Sequence, residues 1–177
     1  MAPDHLDAVG ELAASLRARG LTPVLVGGMA LVVLGSRRVT RDFDFVIAAP
    51  GADLAEVVDL MYDRGLELVS RLTKDGDVAA TLANRRVAAA RLGIDAPPTA
   101  YFYRAASGLR VDLLFDFPIA AATLSARSTR VRIGSYALQV ASESDLLELK
   151  KIAAANRQRP GDVEDIAFLE RRKKTRS

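Results

Sequence analysis

Cysteine and tryptophan are absent from this chain of 177 residues, and histidine occurs only once, as His5. Without cysteine the chain has no disulfide, no thiol nucleophile and no cysteine-based zinc site, which fits the reducing cytoplasm where we expect the protein. The lone histidine, which we expect to be exposed, excludes histidine-rich metal sites and histidine-based catalytic triads. These absences exclude most thiol and imidazole chemistry.

Long hydrophobic runs are also missing from the sequence. No apolar stretch approaches the roughly 20 residues that a membrane-spanning helix requires. Near the N-terminus the apolar residues are interrupted by Asp4, Asp7 and Glu11, which is not the pattern of a signal peptide. We therefore expect no secretion signal and no membrane partner.

What the chain does have is apolar residues, which make up 50% of it, and a concentrated positive charge. The apolar fraction is sufficient for one compact core. Of the net charge of +3, five cations near the C-terminus supply +5, so the rest of the chain carries −2. Such a tail is typical of a solvated end, although it could also contact a nucleic-acid backbone. The five cations are Arg171, Arg172, Lys173, Lys174 and Arg176.

Helical and extended patterns alternate along the chain, which predicts an α/β (α+β) fold with C-terminal helices. Helices are expected over residues 6–16, 28–34, 54–61, 142–156 and 160–172. Strands are expected over residues 24–26, 43–47, 67–69, 78–82, 86–90, 109–115, 129–133 and 136–140, and residues 96–99, with two prolines, are expected to form a loop. We expect a core of residues 1–140, a helical segment of residues 141–172 packed on it, and a basic tail of residues 173–177.

A glycine pair, Gly27-Gly28, lies between the first predicted strand and an all-apolar helix that Gly35 ends. Two glycines at such a turn allow the backbone to approach a phosphate closely and present helix N–H groups to it. A tight turn that needs small residues is the alternative. The Gly-x-Gly-x-x-Gly spacing and the Lys-Ser/Thr of a P-loop are both missing, so those two nucleotide-binding motifs are disfavoured.

Two aspartates, Asp42 and Asp44, alternate with Phe43 and Phe45 on the next predicted strand. Residues i and i+2 of a strand point to the same face, so the two carboxylates project together and repel unless a cation lies between them. Magnesium or manganese, which prefer oxygen ligands and bind nucleotide phosphates, are the expected cations. A half-exposed strand with a polar face is the alternative. Thr40 continues the same face, and together with the arginines and glycines nearby it favours a metal site.

This segment resembles the signature of the polymerase-β-type nucleotidyltransferase superfamily, which has an apolar residue, Gly-Gly, a short helix, glycine and Arg-x-Thr-x-Asp-x-Asp. The Arg-x-Thr formed by Arg38 and Thr40 is similar to the branch that contains AbiEii-type and MenT-type toxins. The resemblance implies a nucleotidyltransferase-like mixed sheet flanked by helices. It also implies that the glycine pair binds the triphosphate and that the paired acids bind the metals.

The resemblance implies a third carboxylate on a neighbouring strand, for which Asp112 and Asp116 are the candidates. Asp112 lies inside an apolar run, where a charge is costly unless it is paired or metal-bound. Asp116 lies at the end of that strand, where turn capping is typical. We therefore prefer Asp112 as the third metal ligand.

The helix predicted over residues 142–156 carries Lys150 in the middle of its apolar arc, and Arg157 falls on nearly the same line. For Lys150 we favour contact with the triphosphate over a snorkelling side chain or a pair with an inward acid. Both interpretations stay open for Arg157. Asp162 and Asp165 resemble acids that follow the core in AbiEii-like proteins, but their spacing also suits a helix N-terminus, which we prefer.

The function implied by the resemblance is metal-dependent transfer of a nucleoside monophosphate from an NTP such as ATP to an acceptor hydroxyl. Asp42, Asp44 and Asp112 would bind the metals, and Lys150 would neutralise phosphate charge. MenT-like and AbiEii-like relatives suggest RNA, namely a tRNA 3′ end, as the acceptor of a toxin with a cognate antitoxin. Transfer to a protein side chain, as in antitoxin-type AMPylating enzymes, and transfer to a small molecule remain alternatives. A non-catalytic toxin–antitoxin binding module is disfavoured because all three acids are present.

Overall fold

The structure, a computed structural model, describes residues 3–157 and 159–176, so Ser177 of the predicted tail lies outside it. The described residues form seven α-helices and eight β-strands. The helices are α1 (Pro3–Ala18), α2 (Gly27–Val33), α3 (Leu54–Tyr62), α4 (Arg85–Asp95), α5 (Ala121–Arg127), α6 (Glu143–Asn156) and α7 (Pro160–Arg176). The strands are β1 (Val24–Val26), β2 (Asp42–Ile47), β3 (Glu67–Leu72), β4 (Val78–Leu82), β5 (Thr99–Arg104), β6 (Leu109–Phe115), β7 (Thr129–Ile133) and β8 (Tyr136–Val140).

All eight strands belong to one mixed sheet in the order β4-β3-β5-β6-β2-β1-β8-β7. The pairs β2/β6 and β1/β8 are parallel, and the other neighbours are antiparallel. Such a sheet with helices around it confirms the predicted mixed α/β fold. Its two central strands, β2 and β6, carry the candidate acids.

The core explains why the glycine turn and the acidic strand are held firmly next to each other. β1 is completely buried, and it pairs with β2 on one side and β8 on the other. Met29, Ala30 and Leu31 bury the first part of α2 beneath the same strands, whereas Val32 and Val33 are half-buried. An all-apolar helix is expected to be buried on every side, and the structure differs from this expectation in the last turn of α2. Burying each large apolar side chain stabilises the folded state by roughly 1.5–3 kcal/mol, and this stabilisation fixes the turn against the sheet.

Four regions differ from the sequence-based expectation. Residues 86–90 were expected to be a strand but lie in α4, because the Asn84 side chain accepts hydrogen bonds from the backbone N–H groups of Arg86 (2.9 Å) and Val87 (3.2 Å) and caps a helix. The elements β5 and α5 were not predicted at all, and β5 begins at Thr99 directly after two prolines. The last helix continues to Arg176, four residues beyond its expected end at 172.

No helix within residues 3–157 and 159–176 has both the length and the apolar composition needed to cross a bilayer.

Candidate active site

Three acidic side chains from two neighbouring strands lie on one face of the sheet. Asp42 and Asp44 alternate along β2, and Asp44 is the register partner of Asp112 on the parallel strand β6. Because paired residues on adjacent strands project to the same face, the three carboxylates share that face. The sequence places the first two together through their spacing alone, and the register between β2 and β6 brings in the third. We call Asp42, Asp44 and Asp112 the acid cluster.

The acid cluster is electrostatically unfavourable without a cation. Burial, and then the charge of Asp42, raise the pKa of Asp44 from 3.8 to about 6, although Lys150 and other cations partly oppose the shift. Burial, and then the charges of Asp44 and Asp42, raise the pKa of Asp112 from 3.8 to about 8. The Oδ1 atom of Asp112 is buried and has no hydrogen-bond partner. A buried carboxylate oxygen without a donor calls for a positive partner.

The residues of the acid cluster fit a divalent metal in donor type. All donors are carboxylate oxygens, which Mg²⁺ and Mn²⁺ prefer, and Oδ1 of Asp112 is buried without a hydrogen-bond partner. Within the described ranges, however, no three His, Cys, Asp or Glu side chains are already arranged as a closed ligand set. Asp42 is instead held by Tyr101, whose hydroxyl donates a hydrogen bond of 3.0 Å to Asp42 Oδ1. Asp42, Asp44 and Asp112 would be the residues that hold such a metal.

The raised pKa values of Asp44 and Asp112 predict an unusual pH dependence of stability. Both groups bind protons more tightly in the folded protein than in the unfolded chain, so folding takes up protons. The contribution of these two groups to stability is therefore fully present below the unfolded pKa near 4 and is lost as the pH rises through the folded values of about 6 and about 8. In urea unfolding with EDTA we expect a lower free energy of unfolding at pH 8 than at pH 5.5.

Millimolar Mg²⁺ should restore most of that loss at pH 8, since it favours the charged carboxylates. The double variant Asp44→Asn, Asp112→Asn is the control and should show a flatter dependence on pH. A wild-type stability that rises from pH 5.5 to pH 8 in EDTA would contradict the electrostatic account of the acid cluster.

The glycine turn lies directly against the acid cluster. Gly27 has a φ of +68°, and a Cβ atom built on it would lie only 2.1 Å from Asp44 Oδ2. Gly27 is thus required both for its left-handed backbone and for its close approach to the carboxylate. A Cβ atom on Gly28 would lie 2.9 Å from Arg38 Cζ and 3.1 Å from Thr40 Oγ1. The motif residues that the sequence singled out are therefore in mutual contact.

Lys150 is buried and lies in a network of charges rather than alone. Its Nζ atom is 2.6 Å from Asp165 Oδ2 and 3.6 Å from Asp162 Oδ1. Asp165 also pairs with Arg38, and Asp162 pairs with Arg157 at 3.5 Å. The preferred interpretation of Asp162 and Asp165 as helix-terminal acids is incomplete, because both carboxylates are buried and each is bound by two cations. Because Arg38 lies between α2 and β2 and the other members lie in or next to α6 and α7, local patterns do not reveal this network.

A cleft of about 370 Å³ connects the two parts of the site, and we call it the Lys150 cleft. It is lined by Asp44 and Asp112 from the sheet, Gly27 from the turn, and Lys150 and Arg157 from the region of α6. The remaining walls are largely apolar and come from the end of β6, the segment after it and α6 (Leu114, Phe117, Pro118, Leu146, Leu149, Ile152 and Ala153). Cations, carboxylates and an apolar slot therefore meet in one concave space, as in small-molecule sites generally.

Sequence reasoning missed Tyr101 and correctly judged Asp116. Tyr101 is the register partner of Asp112 on β5, and burial and the charge of Asp42 raise its pKa from 10.0 to about 12. The run of three aromatic residues in β5, Tyr101 to Tyr103, was the available signal. Asp116 has a φ of +50° and accepts hydrogen bonds from the backbone N–H groups of Ala121 and Ala49, both at 2.9 Å. The turn-capping expectation for Asp116 is confirmed.

Residues 12–176 match the family model described as nucleotidyl transferase AbiEii toxin, type IV toxin–antitoxin system. The chain belongs to this family. It is therefore a nucleotidyltransferase, and the predicted membership of the AbiEii branch of the superfamily is confirmed. A comparison with curated protein sequences gives no significant match.

Solved structures of similar fold support this conclusion about the architecture of the AbiEii-family chain. The lincosamide antibiotic adenylyltransferase LnuA, bound to lincomycin, is 13% identical over 96% of this chain and 97% of that one, with a TM-score of 0.59. An antigenic nucleotidyltransferase-like protein from Paracoccidioides brasiliensis is 18% identical over 96% and 77%, with a TM-score of 0.60. The antibiotic-resistance factor ANT(2'')-Ia is 12% identical over 96% and 84%, with a TM-score of 0.58. At these identities the likeness concerns the fold.

Proposed function

We propose that this AbiEii-family chain transfers a nucleoside monophosphate from an NTP, with ATP the first to test, to a hydroxyl at the 3′ end of an RNA such as tRNA. The transfer would act as the toxic activity of a toxin–antitoxin pair whose other member is a cognate antitoxin. The observation that carries the proposal is the register of Asp44 with Asp112, opposite the close approach of Gly27. Carboxylates that repel one another beside a turn without side chains suit metal-bound phosphates.

Each residue of the site has a role in this proposal. Bound Mg²⁺ or Mn²⁺ would neutralise the phosphates and lower the pKa of the acceptor hydroxyl. Asp42, Asp44 and Asp112 would hold the metal ions, and Asp112, the register partner of Asp44, would assist deprotonation of the acceptor hydroxyl. Gly27 would allow the triphosphate to approach the turn, as would Gly28.

Cationic side chains would hold the triphosphate and the leaving pyrophosphate. Lys150 and Arg157 line the Lys150 cleft together with Asp44 and Asp112, so both can reach phosphate oxygens there. Arg38 and Thr40 lie against Gly28, which suits support of the turn. Asp165 binds both Lys150 and Arg38 and would orient them.

A nucleotide-binding measurement distinguishes the proposed enzyme from a non-catalytic module with the same fold. We expect ATP or another NTP at 100 times its dissociation constant to stabilise the protein by about 2.7 kcal/mol in the presence of Mg²⁺. In EDTA the same nucleotide should have little effect, since the acid cluster then repels the phosphates. Thermal shifts with each NTP, with and without Mg²⁺, measure this. No stabilisation by any NTP would favour the non-catalytic module.

The acceptor is identified by incubating the protein and Mg²⁺ with NTPs labelled in the α-phosphate, total RNA and total protein. We expect the label in RNA of tRNA size and its loss after 3′-end digestion. A label in protein would instead support an AMPylating activity, and a label in small molecules would support modification of a metabolite or drug. Either result would overturn the RNA assignment while leaving the transferase activity intact.

A further inference from the structure

Two arginines that are distant in the sequence converge on one carboxylate beside the acid cluster. Arg41 Nη2 is 3.4 Å and Arg110 Nη2 is 3.1 Å from the same atom, Asp77 Oδ1. Arg110 Nη1 also donates to the backbone oxygen of Gly76 at 3.4 Å. Asp77 belongs to the turn between β3 and β4, and its side chain is 56% exposed. The contact therefore joins an exposed hairpin tip to the centre of the sheet.

Both arginines are placed by the strands that carry the acids. Arg41 immediately precedes Asp42, and Arg110 is the register partner of Asp42 on β6. Arg110 also lies two residues before Asp112, so the two side chains share a face at about 7 Å along the strand. Arg110 thus extends the row of acids toward the beginning of β6, and Arg41 lies next to that row at the beginning of β2.

A groove of about 410 Å³ opens at this end of the row, and we call it the Arg110 groove. Its walls include Thr40, Arg41, Tyr103 and Arg110. The Lys150 cleft takes Asp44 and Asp112 from the other end of the same row and shares no lining residue with the Arg110 groove. The two concave spaces are therefore separate: the Lys150 cleft contains two of the three acids, and the Arg110 groove lies beside the residues that precede the acids on β2 and β6.

We propose that Arg41 and Arg110 bind the last phosphodiester of a nucleic-acid acceptor whose terminal hydroxyl faces the acid cluster. This inference rests on the proposed function and specifies the acceptor as an anion. Two guanidinium groups that share one oxygen are matched to a phosphate as well as to a carboxylate. Asp77 Oδ1 occupies the position that a phosphate oxygen would take.

The surroundings of the three side chains favour exchange of Asp77 for a phosphate. Arg110 is held in place, since it is only 9% exposed and its guanidinium lies 5.9 Å from the ring centroid of Tyr103. Asp77 is exposed on a turn, and ion pairs of that kind contribute little to stability. A phosphate can therefore displace the Asp77 carboxylate while Arg110 stays in position, and Arg41, whose side chain is 68% exposed, can follow the new anion. An uncharged small molecule would gain nothing from this site.

The test is steady-state kinetics with a short single-stranded RNA acceptor. Arg41→Gln should raise the KM for RNA about three- to tenfold and leave the KM for NTP unchanged. In this variant the slope of log KM against log salt concentration should be smaller by about 0.7, the value for one phosphate contact. Arg110→Gln should act in the same way. Arg19→Gln is the matched control, because Arg19 is also exposed and pairs with an acid, Glu56, at 3.4 Å.

The variant Asp77→Asn distinguishes a binding role from a structural one. If Asp77 competes with the acceptor phosphate, its neutralisation should lower the KM for RNA about two- to threefold. If the arginines only hold the hairpin, Asp77→Asn should weaken RNA use as the arginine variants do. The latter result would overturn the proposal.

A chemical change in the RNA locates the contact. With an acceptor whose last internucleotide linkage is an uncharged methylphosphonate, the KM of the wild type should rise by the same factor as in Arg41→Gln. Combining this acceptor with the Arg41→Gln variant should raise the KM no further. Independent, additive losses would overturn the proposal. Anisotropy of a fluorescent RNA measures binding without NTP, so unchanged affinity in Arg41→Gln refutes the phosphate site even if RNA transfer is detected. Transfer to protein or to a small molecule alone refutes the proposed acceptor instead.

Discussion

Asp44→Asn is expected to abolish nucleotidyl transfer and, at the same time, to stabilise the metal-free protein. The amide cannot serve as an anionic metal ligand, and loss of several kcal/mol of transition-state stabilisation reduces the rate by about 10³-fold or more. The folded protein, in contrast, no longer has to hold a carboxylate that burial and Asp42 disfavour. At pH 8 in EDTA we expect the free energy of unfolding to rise by about 2 kcal/mol.

A buried acid with partners provides the matched control. Asp165 is also buried, but it binds Lys150 and Arg38, so Asp165→Asn leaves cations without a counter-charge. That variant should lower the free energy of unfolding by about 3 kcal/mol. Denaturant titrations of both variants, together with transfer assays, measure the contrast. Full activity in Asp44→Asn would remove the acid cluster as the site of transfer, and destabilisation by both variants would contradict the electrostatic distinction between them.

Gly27→Ala is expected to reduce transfer by more than about 100-fold, because the new methyl group would collide with the acid cluster. Its Cβ atom would lie 2.1 Å from Asp44 Oδ2, a separation that no relaxed structure tolerates. Either the turn or the Asp44 carboxylate must move, and a misplacement of about 1 Å at a reacting centre costs about 100-fold in rate. The left-handed φ of +68° adds backbone strain of roughly 1–2 kcal/mol.

A second glycine with a similar backbone conformation distinguishes the effect of backbone strain from the effect of the steric collision. Gly20 has a φ of +79°, and a Cβ atom there would meet nothing within 4 Å. Gly20→Ala should therefore lower stability by the strain alone and leave kcat and KM unchanged. Equal losses of activity in the two variants would show that the effect of Gly27→Ala comes from general destabilisation and not from the acid cluster.

Local patterns predicted most elements of this fold, and the failures have identifiable causes. The β7–β8 hairpin and the start of α6 at Ser142 follow from signals within a few residues, and the structure confirms them. Residues 86–90 look extended by composition, but one side-chain cap at Asn84 commits them to a helix. β5 was overlooked because two prolines precede it, and with it the contact of Tyr101 with Asp42 was lost.

Within the site, the sequence indicated the functional residues more accurately than it indicated their contact partners. The shared face of Asp42 and Asp44 is a property of any strand, so spacing alone determines it. The preference for Asp112 over Asp116 followed from the cost of burying a charge, and the structure places Asp112 beside Asp44. The inward position of Lys150 was also predictable from the helical period. Its binding to Asp165 was not, since the two residues lie on separate helices.

By itself the sequence determined the glycine turn, the paired acids, the apolar helix between them and the family to which they belong, because each depends on neighbours within one element. Only the tertiary structure decided the register of Asp44 with Asp112, the buried pairs of Lys150 and the convergence of Arg41 and Arg110 on Asp77. Those contacts join residues that are distant in the chain. Which of them form depends on how strands order and align around a shared core, and no local periodicity carries that information.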